Sequence, residues 1–236
     1  MIPLDPEVKA AIDRTMVGLR RKKFNCDPAV PARLSRAASV VGSAQKRHGL
    51  VIQLALKRAL QCNAGLVVWN EPEFFIQDAA DHVCQSPRAD SLAQSSLPYL
   101  HREGRKVELD IVVLRGGFLS SYEIKRGTAA HDAGKTRQIK RDLICTQLLL
   151  KSYGARLGHD VTAAEAHLIS YYGKGYIRPP WSIAADQLDD HFGCSVVLPV
   201  ERATEYFRDQ LERFFDDIDG DPEGRQLSLL PAVALL

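Results

Sequence analysis

The segment at residues 107–125 reads VELDIVVLRGGFLSSYEIK, and it decides the fold that we expect for this chain of 236 residues. Two runs rich in β-branched and aromatic residues flank the pair Gly116 and Gly117. Two-residue hairpin turns need positive φ angles, which glycine adopts without strain. The pattern therefore predicts an antiparallel hairpin with strands at 107–114 and 119–124.

The glycine pair also sets the register of the predicted hairpin. A turn at these two residues places Asp110 opposite Glu123 and Glu108 opposite Lys125. Side chains alternate between the faces of a strand, so these four share one face. Directly opposed residues have Cβ atoms roughly 4.5–5.5 Å apart. The sequence therefore predicts two carboxylates side by side, with an ammonium group one step along.

Opposed carboxylates favour a metal site at this hairpin. Like charges directly across a strand pair destabilise it unless something compensates them. A Mg²⁺ ion, which takes a few carboxylates and keeps several waters, would do so at Asp110 and Glu123. Such an ion activates water and neutralises a phosphate, and Lys125 could orient that water. The alternative is a solvated strand face with a Glu108–Lys125 ion pair and incidental acids.

The same residues resemble the motif of a known family of enzymes. Glu108-Leu109-Asp110, twelve intervening residues and Glu123-Ile124-Lys125 are similar to the PD-(D/E)XK nuclease superfamily, which includes many restriction endonucleases and DNA-repair nucleases. The resemblance implies an α/β restriction-endonuclease-like core of a helix, a three-strand meander, a second helix and a further strand. It implies Asp110 and Glu123 as ligands of Mg²⁺, which Mn²⁺ could replace, and Lys125 as the residue that positions the hydrolytic water.

The chain departs from the family pattern at two positions. Leu109 stands where the family has proline, a frequent change there. Gln53 stands where the family often places a glutamate on its first helix, at or near the metal. We expect Gln53 to contribute to the catalytic site, but its amide adds no charge. The number of bound ions, one or two, therefore stays open.

The remaining sequence predicts one α/β domain with helical additions at both ends. The expected parts are a basic extension at 1–32, a nuclease core at 33–200, and an acidic helix with a tail at 201–236. The expected helices are a short one within the first 30 residues, a region at 33–62 interrupted at Gly42 and Gly49, 134–153, 183–192 and 201–218. The other expected strands are 66–69, 74–76, 166–172 and 194–198, with a loop at 78–100.

The charge distribution suggests a polyanionic partner. The net charge is only +2, but residues 101–160 carry 12 Lys and Arg against 7 Asp and Glu, whereas residues 161–236 carry 6 against 13. The basic surplus therefore surrounds the predicted site. We expect contacts with the nucleic acid from six basic residues in or after this stretch, to phosphates beside helix 134–153 and to bases at Lys174. They are Arg126, Lys135, Arg137, Lys140, Arg141 and Lys174.

Other features narrow the class of protein. The sequence has no run of 18 apolar residues and no signal-peptide pattern, and its five cysteines are scattered without a CxxC pair. We therefore expect free thiols, no membrane segment and a cytoplasmic location. The expected function is that of a Mg²⁺-dependent endonuclease, acting on double-stranded DNA as a homodimer in restriction or host defence. The alternatives are a ligand-activated defence or repair nuclease of the same fold, and a non-catalytic nucleic-acid-binding module.

Overall fold

The computed structural model describes residues 3–22, 27–86, 89–127, 132–173 and 177–219. In these ranges the chain forms an α/β fold with a mixed five-stranded sheet. The helices are α1 (Pro6–Arg21), α2 (Ala32–Gln61), α3 (Asp78–Cys84), α4 (Ala89–Leu92), α5 (Ala133–Arg156), α6 (Leu188–Phe192) and α7 (Val197–Asp219), with a 3₁₀ turn at Ala185–Gln187. The strands are β1 (Val67–Ile76), β2 (Arg105–Arg115), β3 (Phe118–Lys125), β4 (Ala163–Ser170) and β5 (Ser182–Ala184).

The sheet follows the order of the chain, β1-β2-β3-β4-β5. The first three strands form an antiparallel meander, and β4 and β5 add in parallel to β3. Helix α5 makes the crossover that parallel pairing of β3 and β4 requires. The predicted α/β class is confirmed in this coarse form.

The central hairpin has the predicted register. Five residue pairs of the ladder run from Arg115–Phe118 at the turn to Ile111–Tyr122. Gly116 and Gly117 carry φ angles of 54° and 82°, the conformation that the turn was expected to need. The prediction from the glycine pair is therefore confirmed over these five pairs.

Strand β2 departs from regular alternation beside Asp110. Between β1 and β2, Trp69 pairs with Val112, but the next pair of the ladder joins Glu71 to Leu109. Two steps on β1 thus correspond to three on β2, which is the pattern of a β-bulge. Leu109 and Val112 consequently lie in the same core cluster, so the predicted alternation from Val112 back to Glu108 does not hold across this point.

Helix α5 packs its apolar stripe into the core on one face of the sheet. The five side chains predicted to do so are all buried, namely Ile139, Leu143, Ile144, Leu148 and Leu149. Full burial of one such side chain contributes about 1.5–3 kcal/mol. Asp132 is the N-cap residue of α5, and its carboxylate accepts a hydrogen bond from the Lys135 amide at 2.8 Å.

The opposite face of the hairpin is covered by α6. Tyr122 donates to or accepts from His191 Nε2 at 2.8 Å, and its ring centroid lies 5.0 Å from that of Phe192. The buried apolar residues Ile111 and Val113 lie on β2 beside Tyr122. A strand covered on both faces has a near-continuous apolar run, as β2 has here.

Several expected elements differ in the structure. Helix α2 runs without interruption through Gly42 and Gly49, since a cost of about 1 kcal/mol per glycine does not end a helix of 30 residues. The expected strands at 66–69 and 74–76 are one strand, β1, and the expected loop at 78–100 contains α3 and α4.

The expected strand at 194–198 is wrong. A short apolar run suits either a strand or a buried helix start, and periodicity cannot separate them. Asp189 accepts hydrogen bonds from the amides of Val196 and Val197 at 2.7 and 2.9 Å, where α7 begins. The expected helix at 183–192 is also replaced, by β5, the 3₁₀ turn and α6. The expected tail at 220–236 lies outside the described residues.

The chain divides into two compact units. One contains α1, α2 up to Ala55 and α7 from Pro199, and the other runs from Leu56 to Leu198 and holds the sheet. The predicted boundaries at 32/33 and 200/201 divide the chain at other points and stay a prediction. In the described ranges, none of the helices is both long enough and apolar enough to cross a bilayer.

Candidate active site

Asp110, Glu123 and Lys125 come together where β2 and β3 leave their shared ladder. The Oδ2 atom of Asp110 accepts a hydrogen bond from the backbone amide of Ile124 at 2.7 Å, so this carboxylate contacts β3 between the other two residues. Lys125 Nζ donates to Glu123 Oε1, and their side chains are 33% and 29% exposed. The ion pair of Lys125 is therefore made with Glu123, where the alternative interpretation expected Glu108.

The backbone carbonyl of Asp110 is held by Asn70, which is held in turn by Lys57, and neither residue was singled out from the sequence. Asn70 on β1 donates from Nδ2 to the carbonyl oxygen of Asp110. Lys57 on α2 donates from Nζ to Oδ1 of the same asparagine. The chain Lys57–Asn70–Asp110 supplies a side-chain partner to a carbonyl at the bulge, where the ladder is interrupted.

The electrostatics of the cluster match a site built to receive positive charge. Burial, and then the negative charge of Glu123, raise the pKa of Asp110 from 3.8 to about 6, although the Ile124 amide and Lys125 oppose the shift. Burial lowers the pKa of Lys125, but attraction to Glu123 and their hydrogen bond outweigh it and raise the pKa overall. Lys125 therefore stays an ammonium group, and the two carboxylates repel each other.

The chain beyond Lys125 is fixed against the end of β4. The carbonyl oxygens of Lys125 and Arg126 accept hydrogen bonds from the amides of Tyr171 and Tyr172 at 3.0 and 2.9 Å. Gly127 has a φ of 73°, and a Cβ there would lie 2.2 Å from the hydroxyl oxygen of Ser170. Glycine is thus required where the chain leaves the site.

A cavity of about 260 Å³ adjoins the cluster. It is lined by Glu123, Glu108 and the α5 residues Lys135 and Asp142, together with apolar side chains of β2 and α5. Lys135, one of the residues predicted to contact phosphate, therefore shares this cavity with a predicted metal ligand.

The other predicted phosphate-binding residues lie in different surroundings. Lys140 pairs with Asp90 at 2.8 Å, and Arg141 pairs with Asp81 at 2.9 Å. Arg137 and Lys140 line a second cavity of about 520 Å³ that also takes in Arg178, Trp181 and Gln147. The structure thus spreads these cations over two cavities and a helix surface.

The last two basic residues and Gln53 complete the predicted set. The Arg126 guanidinium carbon lies 5.8 Å from the ring centroid of Tyr172. Lys174 lies outside the described residues. Gln53 is half-buried on α2 in the first compact unit, and its expected role at the site stays a prediction.

The donor set fits a cation that needs few protein ligands. Within the described ranges, no group of three or more His, Cys, Asp and Glu side chains is placed to hold a metal ion. The candidate cluster itself contains two carboxylates, those of Asp110 and Glu123. Mg²⁺ is commonly held by one or two carboxylates and completes its shell with water and substrate oxygens. The residues present therefore fit Mg²⁺ better than a cation that needs an all-protein cage.

The residues missed by sequence reasoning carry no local signal. Lys57 lies in a helix and Asn70 in a strand, and the sequence places neither in a motif. Only the pairing of β1 with β2 brings Asn70 to Asp110. A bulge of this kind depends on both strands, so the sequence of one hairpin does not reveal it.

The comparisons with known proteins add no relative to this description. A scan against protein-family models, a search of curated proteins and a search of solved structures each found no match to the chain.

Proposed function

We propose that this protein is a Mg²⁺-dependent endonuclease of the PD-(D/E)XK type that hydrolyses backbone phosphodiesters of double-stranded DNA. The observation that carries the proposal is the cluster of Asp110, Glu123 and Lys125 at the end of the central hairpin. The order of helix, three-strand meander, helix and strand also supports it. Restriction or another host-defence role is the setting that we favour.

Each side chain of the cluster has a distinct part in the proposed reaction. Asp110, oriented by the Ile124 amide, and Glu123 would hold the cation. When bound, Mg²⁺ would lower the pKa of a water and neutralise charge on the phosphate. Lys125, held by Glu123, would orient the attacking water and offer positive charge to the oxygens that become more negative in the transition state.

Basic side chains around the site would hold the DNA backbone. Lys135 lines the cavity beside Glu123, and Arg137, two residues further along α5, lines the second cavity and would contact the backbone there. Contacts of this kind position a duplex without reading its sequence. Cleavage of both strands requires two sites, so we propose that the enzyme works as a homodimer.

A plasmid cleavage assay tests this function. Purified protein is incubated with supercoiled plasmid in Mg²⁺ or in EDTA, beside Asp110→Ala, Lys125→Ala and the control Glu103→Gln, whose side chain is on the exposed stretch before β2. We expect Mg²⁺-dependent cleavage by the wild type and the control, and a loss of about 100-fold or more in both site variants. Melting curves confirm that the variants fold.

Two results would contradict the proposal at different levels. Cleavage that persists in both site variants would refute the assignment of the site. If neither DNA nor RNA is cleaved with Mg²⁺ or Mn²⁺, the proposed nuclease activity is refuted. DNA binding without cleavage would then favour a non-catalytic nucleic-acid-binding module. Discrete fragments would support restriction, whereas a smear would contradict it.

A further inference from the structure

A pair of thiols lies where α3 packs against α5, apart from the candidate active site. The Sγ atoms of Cys84 and Cys145 are 2.8 Å apart. Both residues are free thiols, with Cys145 fully buried and Cys84 partly exposed. A covalent disulfide has a sulfur–sulfur distance of about 2.05 Å, so the two atoms need to approach by only about 0.8 Å.

The surroundings give the two thiols different roles. Cys145 Sγ lies 3.4 Å from Asp81 Oδ1, and Cys84 Sγ lies 3.7 Å from the carbonyl oxygen of Arg141. The hydrogen bond from Cys145 lowers the pKa of Cys84, whereas that bond and burial raise the pKa of Cys145. The partly exposed thiol is thus the one that ionises more easily, and the thiolate is the reactive form.

We propose that Cys84 and Cys145 are a reversible disulfide site, oxidised by exchange with a low-molecular-weight disulfide such as oxidised glutathione. This site is independent of the proposed nuclease activity. The proximity of the two sulfurs, the access to one of them and the burial of the other carry the proposal.

The exchange proceeds in two balanced steps. The Cys84 thiolate attacks one sulfur of the small disulfide, whose sulfur–sulfur bond breaks and releases one thiolate, which takes up a proton. Cys145 then loses its proton and attacks the Cys84 sulfur of the mixed disulfide, which releases the second small thiol. Two protein thiols are oxidised by two electrons, and one small disulfide is reduced to two thiols.

The disulfide would close a covalent loop of chain that contains the residues of the candidate active site. The chain between Cys84 and Cys145 contains β2, β3 and the first half of α5. Closing a loop of this length restricts the unfolded chain and stabilises the folded one. We expect the oxidised protein to melt about 5 °C or more above the reduced protein.

Peptide mapping after redox equilibration tests the site. The full chain is incubated in about 10 mM reduced or oxidised glutathione, alkylated under denaturing conditions and digested without reductant. We expect a linked Cys84–Cys145 peptide only in the oxidised sample, and its disappearance after return to reduced glutathione. Cys62→Ser, a change at an exposed thiol outside the pair, should leave the linked peptide in place.

Single variants test the order of the steps. Cys145→Ser should accumulate glutathione on Cys84, whereas Cys84→Ser should leave Cys145 unmodified because its thiol is buried. The proposal is overturned if both cysteines of the wild type are alkylated separately after oxidation, or if the bond forms but does not reverse. Because the wild-type arm needs no substitution, a variant that fails to fold does not affect the decision.

Discussion

The substitution Asp110→Asn isolates the electrostatic cost of the candidate site. Asparagine keeps the size of aspartate and an oxygen that can accept the hydrogen bond from the Ile124 amide, seen at 2.7 Å. It removes the negative charge that lies beside Glu123 in a partly buried position. The variant should therefore be more stable than the wild type when no metal is present.

The size of the effect follows from the raised pKa of Asp110. The pKa of Asp110 is about 6 in the folded protein, against an ordinary value of 3.8. Each unit of difference between the two pKa values corresponds to about 1.36 kcal/mol of stability. The ionised carboxylate thus costs the folded state up to about 3 kcal/mol. Because the folded pKa lies above the unfolded one, this cost is fully present above pH 6, decreases as pH falls between 6 and 4, and is absent below 4.

The assay is urea unfolding of wild type and variant in EDTA, at several pH values from 4 to 8. We expect the free energy of unfolding of Asp110→Asn to exceed that of the wild type by about 2–3 kcal/mol at pH 7.5, with the difference vanishing near pH 4. Addition of Mg²⁺ should stabilise the wild type and leave the variant nearly unchanged.

A lower stability of the variant at pH 7.5, or a difference that does not vary with pH, would refute this reasoning. The first result would mean that the carboxylate is favourably placed without metal. The second would mean that its charge is not the origin of the difference.

Three further predictions test the fold and the DNA-binding face. Gly127→Ala should lower the free energy of unfolding by more than about 2 kcal/mol, because its Cβ would clash with the hydroxyl oxygen of Ser170. Gly116→Ala is the matched control, and since a Cβ there would meet no atom within 4 Å, it should lower the same quantity by only about 1 kcal/mol. Equal losses in the two variants would contradict the close approach at Gly127. Gly42→Ala should raise the melting temperature, with a gain of about 0.5–1 kcal/mol, since α2 is helical there and has open space; a loss would contradict a continuous helix. Arg137→Ala should weaken DNA binding and reduce the slope of log K against log salt by about 1, whereas Lys140→Ala, already ion-paired, should change it less; the reverse order in a salt titration would refute this.

The sequence predicted those parts of the site that depend on local geometry. The glycine pair fixed the turn, and the turn fixed the register of the hairpin from Arg115–Phe118 to Ile111–Tyr122. The position of Asp110 relative to Glu123 lies beyond this ladder and also depends on the bulge. The apolar stripe of α5 was predicted for the same reason, because helical periodicity is local.

The parts that were not predicted depend on contacts between distant segments. The bulge in β2 exists only in relation to β1, and Asn70 reaches Asp110 through that pairing. Cys84 and Cys145 are 61 positions apart and meet because α3 packs on α5. Asp189, eight residues before the start of α7, accepts hydrogen bonds from the amides of Val196 and Val197, and this contact overrides the strand propensity of the run there.

The hairpin and the bulge respond differently to changes in chain length. Insertion or deletion of one residue between Asp110 and Glu123 would move one of the two carboxylates to the other face of the strand pair. On the amino-terminal side of Asp110, strand β2 pairs again with β1 at Leu109, and the chain at 77–104 connects β1 to β2 outside the sheet. Homologous chains that keep the site should therefore preserve the twelve-residue interval, while their length varies in the preceding connection.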